Sequence, residues 1–271
     1  MAAAAPPPLL PPIASPLLAA HALPGRPDVA FLPNAVSPAV EASLVAALGF
    51  QKRGGGGDGD GGGGDYAFDP ASPPPGWTQA AGRAVRAFGG AVDARGALLP
   101  APLPGWLAGL VDRLAPAANH VLANAYAPGA GVDAHTDGPV YAPCAVIVSL
   151  AGWAVLRFYE QERGGGGSGR KLSFSVALPP RSAVAFWGGA YAHCLHGIDE
   201  ATADAVDGSV INSAEAGLLP RDGRGGEGHA AAAASSSAPA ASIPRSALRV
   251  SLTVRRVLRV RKGLALRLGA R

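Results

Sequence analysis

A histidine and an aspartate two residues apart, His135 and Asp137, could bind one metal ion together. On a strand their side chains would point to the same face. Alone, the pair is explained more simply by a solvated turn. About 60 residues downstream lies a second cluster that contains His196. Two histidines and one carboxylate leave positions open for non-haem Fe(II) and oxygen chemistry, while zinc is an alternative occupant.

The second cluster contains two histidines, and only one of them is expected to bind the ion. His193 and His196 are separated by three residues, which puts them on opposite faces of a strand. Gly197 follows His196 and permits a close approach or a tight turn. We therefore predict that His196 is the ligand. His193 is expected to lie at the surface or to contact the ligands without binding the ion itself. Cys194 is expected to be a small buried packing residue.

Polar and aliphatic residues alternate from Arg249 to Arg255. An amphipathic edge strand with its arginines in water explains this segment alone. Beside a metal site inside a barrel, however, two buried guanidinium groups would need an anion. A dicarboxylate co-substrate would satisfy both arginines and the metal. The residues expected on the polar face are Arg249, Ser251, Thr253 and Arg255, and those expected in the core are Val250, Leu252 and Val254.

Asn124 and Tyr126 share a face by the same spacing and could donate hydrogen bonds to a carboxylate or keto oxygen. For the tyrosine alone, a hydrogen bond to a backbone carbonyl is the commoner arrangement.

The elements that position these residues are predominantly short strands. Strand patterns dominate residues 119–198, and a last strand covers 248–257. Helices are predicted at about 38–50 and around 104–114. Many short strands without alternating helices predict an antiparallel sandwich or barrel with helices packed outside. The residues expected on the buried face of the second helix are Trp106, Leu107, Leu110 and Leu114.

Composition sets the limits of the folded body. The chain has 271 residues, and its 48% hydrophobic share allows a buried core. Its 38 glycines and 26 prolines indicate low-complexity interruptions. Two cysteines exclude a disulfide scaffold and favour a reducing compartment. The net charge of +4 is uneven, because residues 245–271 hold nine basic and no acidic side chains. The remaining 14 basic and 19 acidic residues make the body mildly acidic.

We expect a disordered Pro/Ala leader over residues 1–27, one folded domain over 28–260 and a basic tail over 261–271. The Gly-rich segments 54–64 and 199–244 are expected to be exposed insertions without catalytic function. Prolines interrupt the apolar N-terminal stretch, so neither a membrane span nor a secretory signal is expected. An organelle transit peptide is the less favoured alternative for the leader.

In order and spacing, these residues resemble the AlkB-type Fe(II)/2-oxoglutarate-dependent dioxygenases, and most closely their homologue-six branch. The shared features are Asn124-x-Tyr126, His135-x-Asp137, His196-Gly197-Ile198, and Arg249 with Arg255 six residues later. The closer match to the branch lies in residues 77–79, 118–122, 135–139, 158–160 and 249–253. The resemblance spans about residues 28–198 and 245–260.

The resemblance implies a mainly β protein with flanking helices and a double-stranded β-helix (jelly-roll) core. It implies an oxidoreductase that uses Fe(II), 2-oxoglutarate and O₂, and that forms succinate while it hydroxylates its substrate. Hydroxylation of an N-methyl group leads to formaldehyde and demethylation. The implied Fe(II) ligands are His135, Asp137 and His196, and the implied 2-oxoglutarate contacts are Asn124, Tyr126, Arg249, Arg255 and, as a weaker candidate, Ser251.

The substrate implied by the resemblance is an alkylated nucleic acid in the nucleus or cytoplasm. The C-terminal basic residues could neutralise phosphates, although a solvated terminus explains them equally well. Trp77, Tyr141 and Trp187 could stack on a base, although each is more often a core residue. Gly138-Pro139 stand where repair members carry acidic residues. Two alternatives therefore stay open: the same chemistry on a protein or small molecule, and a non-catalytic interaction protein of the same fold.

Overall fold

A computed structural model of the chain describes residues 14–53, 66–160, 170–218, 241–245 and 247–261. The helices in these ranges are α1 (Pro16–Ala19), α2 (Pro38–Ala47), α3 (Gly105–Leu114) and α4 (Gly188–Ala192). The first strands are β1 (Ala22–Leu23), β2 (Arg26–Leu32), β3 (Thr78–Ala80), β4 (Arg83–Phe88), β5 (Gly90–Val92) and β6 (Ala97–Pro100).

Most of the later strands form the centre of the fold. In chain order they are β7 (His120–Tyr126), β8 (Val132–His135), β9 (Cys144–Leu150), β10 (Ala154–Glu160), β11 (Lys171–Leu178), β12 (Ala183–Trp187) and β13 (Cys194–Ile198). The last four are β14 (Ala203–Val206), β15 (Ala241–Pro244), β16 (Arg249–Arg255) and β17 (Arg259–Val260).

The strands of the central body form two antiparallel sheets. The larger has the order β1-β2-β12-β9-β16-β7-β4-β3 and the smaller the order β11-β10-β13-β8. Along the chain, β7, β9, β12 and β16 belong to the larger sheet, while β8, β10, β11 and β13 belong to the smaller one. This alternation between two sheets winds the chain into a double-stranded β-helix. The predicted fold class, mainly β with flanking helices and a jelly-roll core, is confirmed.

Two apolar clusters hold the body together. One lies between the larger sheet and the helices α2 and α3, and it contains Leu44, Leu107 and Val250. The other lies between the two sheets and contains Phe158 and Phe186. Burial of such side chains is the main favourable contribution to folding. Within the described ranges, no helix has the length and apolar character that crossing a membrane requires.

Both predicted helices are present. The hydroxyl of Ser37 accepts a hydrogen bond from the backbone N–H of Val40, and Pro38 occupies the first turn, so α2 begins where the sequence predicts. In α3, Leu107, Leu110 and Leu114 are buried as expected. Trp106 was expected to be buried as well, but it is 37% exposed. Its ring packs edge-on against Phe88, with 5.4 Å between the ring centroids.

The expected unstructured leader over 1–27 is wrong for residues 14–27. This segment forms α1, β1 and the start of β2. Leu18 is fully buried in the cluster beneath the helices, and the hydroxyl of Ser15 accepts a hydrogen bond from its backbone N–H. The apolar residues between the prolines therefore belong to the core. Residues 1–13 lie outside the described ranges.

The expectation that residues 199–244 form an exposed insertion is also wrong for the part of this segment that the structure describes. Strand β14 pairs with β15. The buried amide of Asn212 accepts a hydrogen bond from the backbone N–H of Ala177 at 2.8 Å and donates one to its carbonyl at 2.9 Å. Residues 199–218 are thus packed onto β11. Residues 54–64, 219–240 and 262–271, which include the other expected insertion and most of the basic tail, lie outside the described ranges.

Candidate metal centre

Strand pairing brings His135 and His196 together. Strand β13 pairs with β8 so that His196 lies opposite His135, and the two ring centroids are 4.6 Å apart. Asp137 lies two residues beyond the end of β8, in a loop rather than on the strand as predicted. One potential ligand atom from each of the three side chains lies within 4.8 Å of the others. The three predicted ligand residues therefore form one cluster that could hold a metal ion.

The environment of both histidines suits metal binding. Burial lowers the pKa of His196 to about 4, against the opposing effect of Asp137. His196 is therefore neutral at pH 7, with a lone pair available to a metal. The Nδ1 atom of His135 lies 2.7 Å from the backbone carbonyl oxygen of Asp133. An N–H at Nδ1 would donate to that carbonyl and leave Nε2 as the ligand atom.

Gly197 permits the close contact between β13 and β8. A Cβ at this position would lie 2.8 Å from both the Cα and the nitrogen of Ala134 on β8. We expect Gly197→Ala to separate the two strands, lower the free energy of unfolding by about 1–3 kcal/mol and weaken metal binding. Chemical denaturation and Mn(II) titration measure these effects. Gly208→Ala is the matched control, since a Cβ at Gly208 has no neighbour within 4 Å. An unchanged metal affinity in Gly197→Ala would contradict the assigned role.

The alternating pattern of β16 is confirmed. The strand lies between β9 and β7, at the centre of the larger sheet, so the alternative of a solvated edge strand is wrong. Val250, Leu252 and Val254 enter the core under the helices. The opposite face lines one cavity together with the metal cluster and part of β7; the predicted residues in its wall are Asn124, Tyr126, His135, Asp137, His196, Arg249, Ser251, Thr253 and Arg255.

Arg249 is the clearest sign of an anion site in this cavity. It is 4% exposed, and none of its three guanidinium nitrogens has a hydrogen-bond partner among the described residues. Burial lowers the pKa of the Arg249 guanidinium. Its nearest aromatic contact is Tyr126, whose ring centroid lies 5.3 Å from Cζ. A buried charge without partners is strongly unfavourable unless an anion binds to it.

Arg255, unlike Arg249, has a hydrogen-bond partner among the described side chains. Its Nη1 donates to Oδ1 of Asp137, and its guanidinium lies over the ring of Tyr141, with 4.0 Å from Cζ to the centroid. The Oδ2 atom of Asp137 has no hydrogen-bond partner among the described residues. Arg255 therefore neutralises the acidic member of the metal cluster and leaves one carboxylate oxygen available.

Sequence reasoning missed Arg83, which lines the same cavity from β4. Its Nε donates to the side-chain carbonyl of Asn124 at 3.0 Å. This contact orients the Asn124 amide so that Nδ2 donates to the carbonyl of Leu122 at 3.2 Å and lies 3.5 Å from the hydroxyl of Thr253. A single arginine in a short strand gives no signal of this role without the register of the sheet.

Two of the three aromatic candidates for base stacking lie in the core, and the third packs on Arg255. Trp77 is buried beneath the helices, and its indole N–H donates to the carbonyl of Leu48 at 2.9 Å. Trp187 is buried in the core, and Tyr141 covers Arg255. Trp77 and Trp187 are thus core residues. Cys194 is buried, as expected.

His193 is exposed at the end of α4 and does not join the metal cluster. We expect His196→Ala to weaken Mn(II) binding at least about 10-fold, because a ligand is lost, whereas His193→Ala should bind Mn(II) like the wild type. Isothermal titration with Mn(II) compares the two variants. If His193→Ala lost the metal and His196→Ala retained it, the choice of ligand would be reversed.

Comparison with known proteins finds relatives in sequence. A zebrafish (Danio rerio) protein described as "probable RNA/DNA demethylase ALKBH6" is 28% identical over 201 residues, which span 70% of this chain and 77% of that protein. No family model matches the chain.

Solved structures are more distant. The structure of OsALKBH1 is 16% identical, with a TM-score of 0.45 over 85% of this chain and 99% of that one. A Pseudomonas putida prolyl-4-hydroxylase is 9% identical, with a TM-score of 0.38 over 89% of this chain and 100% of that one. A Burkholderia pseudomallei oxidoreductase of the 2OG-Fe(II) oxygenase family is 12% identical, with a TM-score of 0.40 over 86% and 89%.

A His-Asp-His cluster that faces a buried arginine inside a double-stranded β-helix defines an oxidoreductase of the 2-oxoglutarate oxygenase class. In sequence the chain is similar to the zebrafish protein, and it resembles the AlkB-type 2-oxoglutarate oxygenases. Oxygenases of this class use Fe(II) and 2-oxoglutarate, and a possible His-Asp-His site for the metal is present in this chain.

Proposed function

We propose that this protein is an Fe(II)- and 2-oxoglutarate-dependent dioxygenase that demethylates or hydroxylates an alkylated nucleic acid. One observation carries the oxygenase chemistry: the His135, Asp137 and His196 cluster lines a single cavity with Arg249, whose buried guanidinium has no hydrogen-bond partner in the described part of the chain. A metal ion at the cluster and a dicarboxylate that reaches Arg249 would satisfy both groups.

The residues present fit the two groups that the family implies. His135, Asp137 and His196 would hold Fe(II). Three protein ligands leave coordination positions on the ion open for oxygen ligands. Bound Fe(II) with 2-oxoglutarate and O₂ supplies the oxidising chemistry. The protein would bind and orient these groups. Arg249 would hold the distal carboxylate of 2-oxoglutarate, and Arg255 would hold Asp137 in place.

Three further polar residues, Asn124, Tyr126 and Ser251, would complete the co-substrate wall. Ser251 lies opposite Asn124, and Arg249 lies opposite Tyr126, in the pairing of β16 with β7. The Asn124 amide and the Tyr126 and Ser251 hydroxyls would offer hydrogen bonds to the co-substrate. The apolar side of the cavity, which includes Ile147 and Ile198, would exclude water.

The nucleic-acid part of the proposal is supported by the zebrafish relative, which is described as a probable RNA/DNA demethylase, and by the basic C-terminal segment. We also propose a nuclear or cytoplasmic location, which suits the two free buried cysteines, Cys144 and Cys194.

Two measurements test the proposal in sequence. Wild-type protein with fresh ferrous iron should form succinate from 2-oxoglutarate, and His135→Ala should form none above background. With a single-stranded oligonucleotide that carries N-methylated bases, the wild type should also release formaldehyde. Equal succinate from both proteins would end the oxygenase assignment of this site. Formaldehyde release from a methylated peptide in place of the oligonucleotide would transfer the activity to a protein substrate.

A further inference from the structure

A cationic and apolar surface borders the loop that follows the metal cluster. Strand β17 pairs in parallel with β6, and β5 completes this small sheet. The backbone N–H of Ala142 donates to the carbonyl of Arg256 at 2.8 Å, and that of Leu258 donates to the carbonyl of Val140 at 3.0 Å. Residues 256–258 therefore run beside residues 140–142, a few positions after Asp137.

The charge of this surface is strongly positive. Arg95, Arg256, Arg259 and Arg261 are all exposed. Among residues 90–101, 138–143 and 256–261, the single acidic residue is Asp93, which pairs with Arg261 at 2.5 Å. Four guanidinium groups against one carboxylate leave a local charge of +3. The whole chain has a net charge of +4, so this surface carries three of those four charges.

Aliphatic side chains lie among these arginines. Leu258 is 58% exposed, Val260 is 49% exposed and Leu99 is 47% exposed, and all three belong to the small sheet or its approach. Val260 follows Arg259 on β17 and therefore points to the opposite face of the small sheet. We call the exposed side chains Arg95, Leu99, Arg256, Leu258 and Arg259 the arginine face.

We infer that the arginine face binds single-stranded nucleic acid and guides it to the metal centre; this rests on the proposed function. Phosphates would contact the guanidinium groups, and bases or sugars would lie on the aliphatic side chains, a combination that tracks single strands without sequence preference. The face is linked to the metal cluster along the chain, because Arg256 directly follows Arg255, whose guanidinium contacts Asp137.

The test is a binding measurement without turnover on the full chain. A fluorescent single-stranded oligonucleotide of about 12 nucleotides is titrated between about 50 and 200 mM NaCl and followed by anisotropy. Removing two phosphate contacts in Arg256→Gln/Arg259→Gln should weaken binding roughly 10- to 30-fold and reduce the slope of log K against log salt by about 1.4. Arg256→Lys/Arg259→Lys should retain most of the affinity, because the charges remain.

Lys52→Gln/Lys171→Gln is the matched control, since both lysines are exposed and lie outside the face. Equal losses in this control and in the arginine double variant would overturn the inference, as would an arginine double variant with wild-type affinity. Displacement of the oligonucleotide by polyglutamate at equal charge would assign the face to an acidic protein and overturn it too. A wild type that forms succinate but binds no oligonucleotide would reject the face and leave the oxygenase standing.

Discussion

Replacement of Arg249 with methionine is expected to remove 2-oxoglutarate binding and to raise the stability of the ligand-free protein. The side chain is 4% exposed, and its guanidinium nitrogens have no hydrogen-bond partner among the described residues. A buried charge without partners destabilises the ligand-free fold, whereas an apolar side chain of similar volume does not. Loss of a buried charged partner costs the ligand about 2–5 kcal/mol, which is about 30- to 5,000-fold in affinity.

Thermal unfolding with and without 2-oxoglutarate, in the presence of Mn(II), separates the two effects. A ligand at 100 times its Kd stabilises the wild type by about 2.7 kcal/mol, and the variant should gain almost nothing. Arg249→Lys should retain part of the affinity and lose about 1.5–3 kcal/mol, because a point charge replaces a planar fork. Ligand stabilisation of Arg249→Met equal to that of the wild type would place the carboxylate elsewhere.

The sequence predicted the chemistry of the site because that chemistry depends on local patterns. Because side chains alternate between the two faces of a strand, Arg249 and Val250 of β16 point to opposite faces wherever the strand lies in the sheet. The close approach of β13 to β8 follows from Gly197, which sequence reasoning identified. Asp137 reaches the cluster from a loop, however, so the period-two argument gave the right residue for an incorrect structural reason.

Residues whose roles depend on sheet register were missed. Arg83 contacts Asn124 only because β4 adds to the edge of β7, and no local pattern encodes that pairing. Composition misled the interpretation in two places, residues 14–27 and 199–218, where Pro-, Ala- and Gly-rich sequence is packed into the fold. Small residues are compatible with both a flexible loop and a tightly packed segment, so composition alone does not distinguish them.

The packed state of this second segment leads to a prediction about Asp204. Its carboxylate pairs with Arg245, and the two side chains are only 1% and 5% exposed. The same carboxylate accepts a hydrogen bond from the backbone N–H of Val155 on β10 at 3.2 Å. Arg245 also donates to the carbonyls of Ala130 at 3.2 Å and Asp199 at 2.6 Å, beside the strands that carry His135 and His196.

Asp204→Ala should therefore lower the free energy of unfolding by about 3–5 kcal/mol, because Arg245 remains buried without its carboxylate. Urea denaturation of the full chain measures the change. Asp207→Ala, at an exposed neighbouring position, should cost less than about 1 kcal/mol. The double variant Asp204→Leu/Arg245→Leu should recover part of the loss, since it leaves no buried charge. If Asp204→Ala were as stable as Asp207→Ala, the 199–218 segment would be the exposed insertion that its composition suggests, and Ala130 and Asp199 would not depend on it for their positions beside the metal cluster.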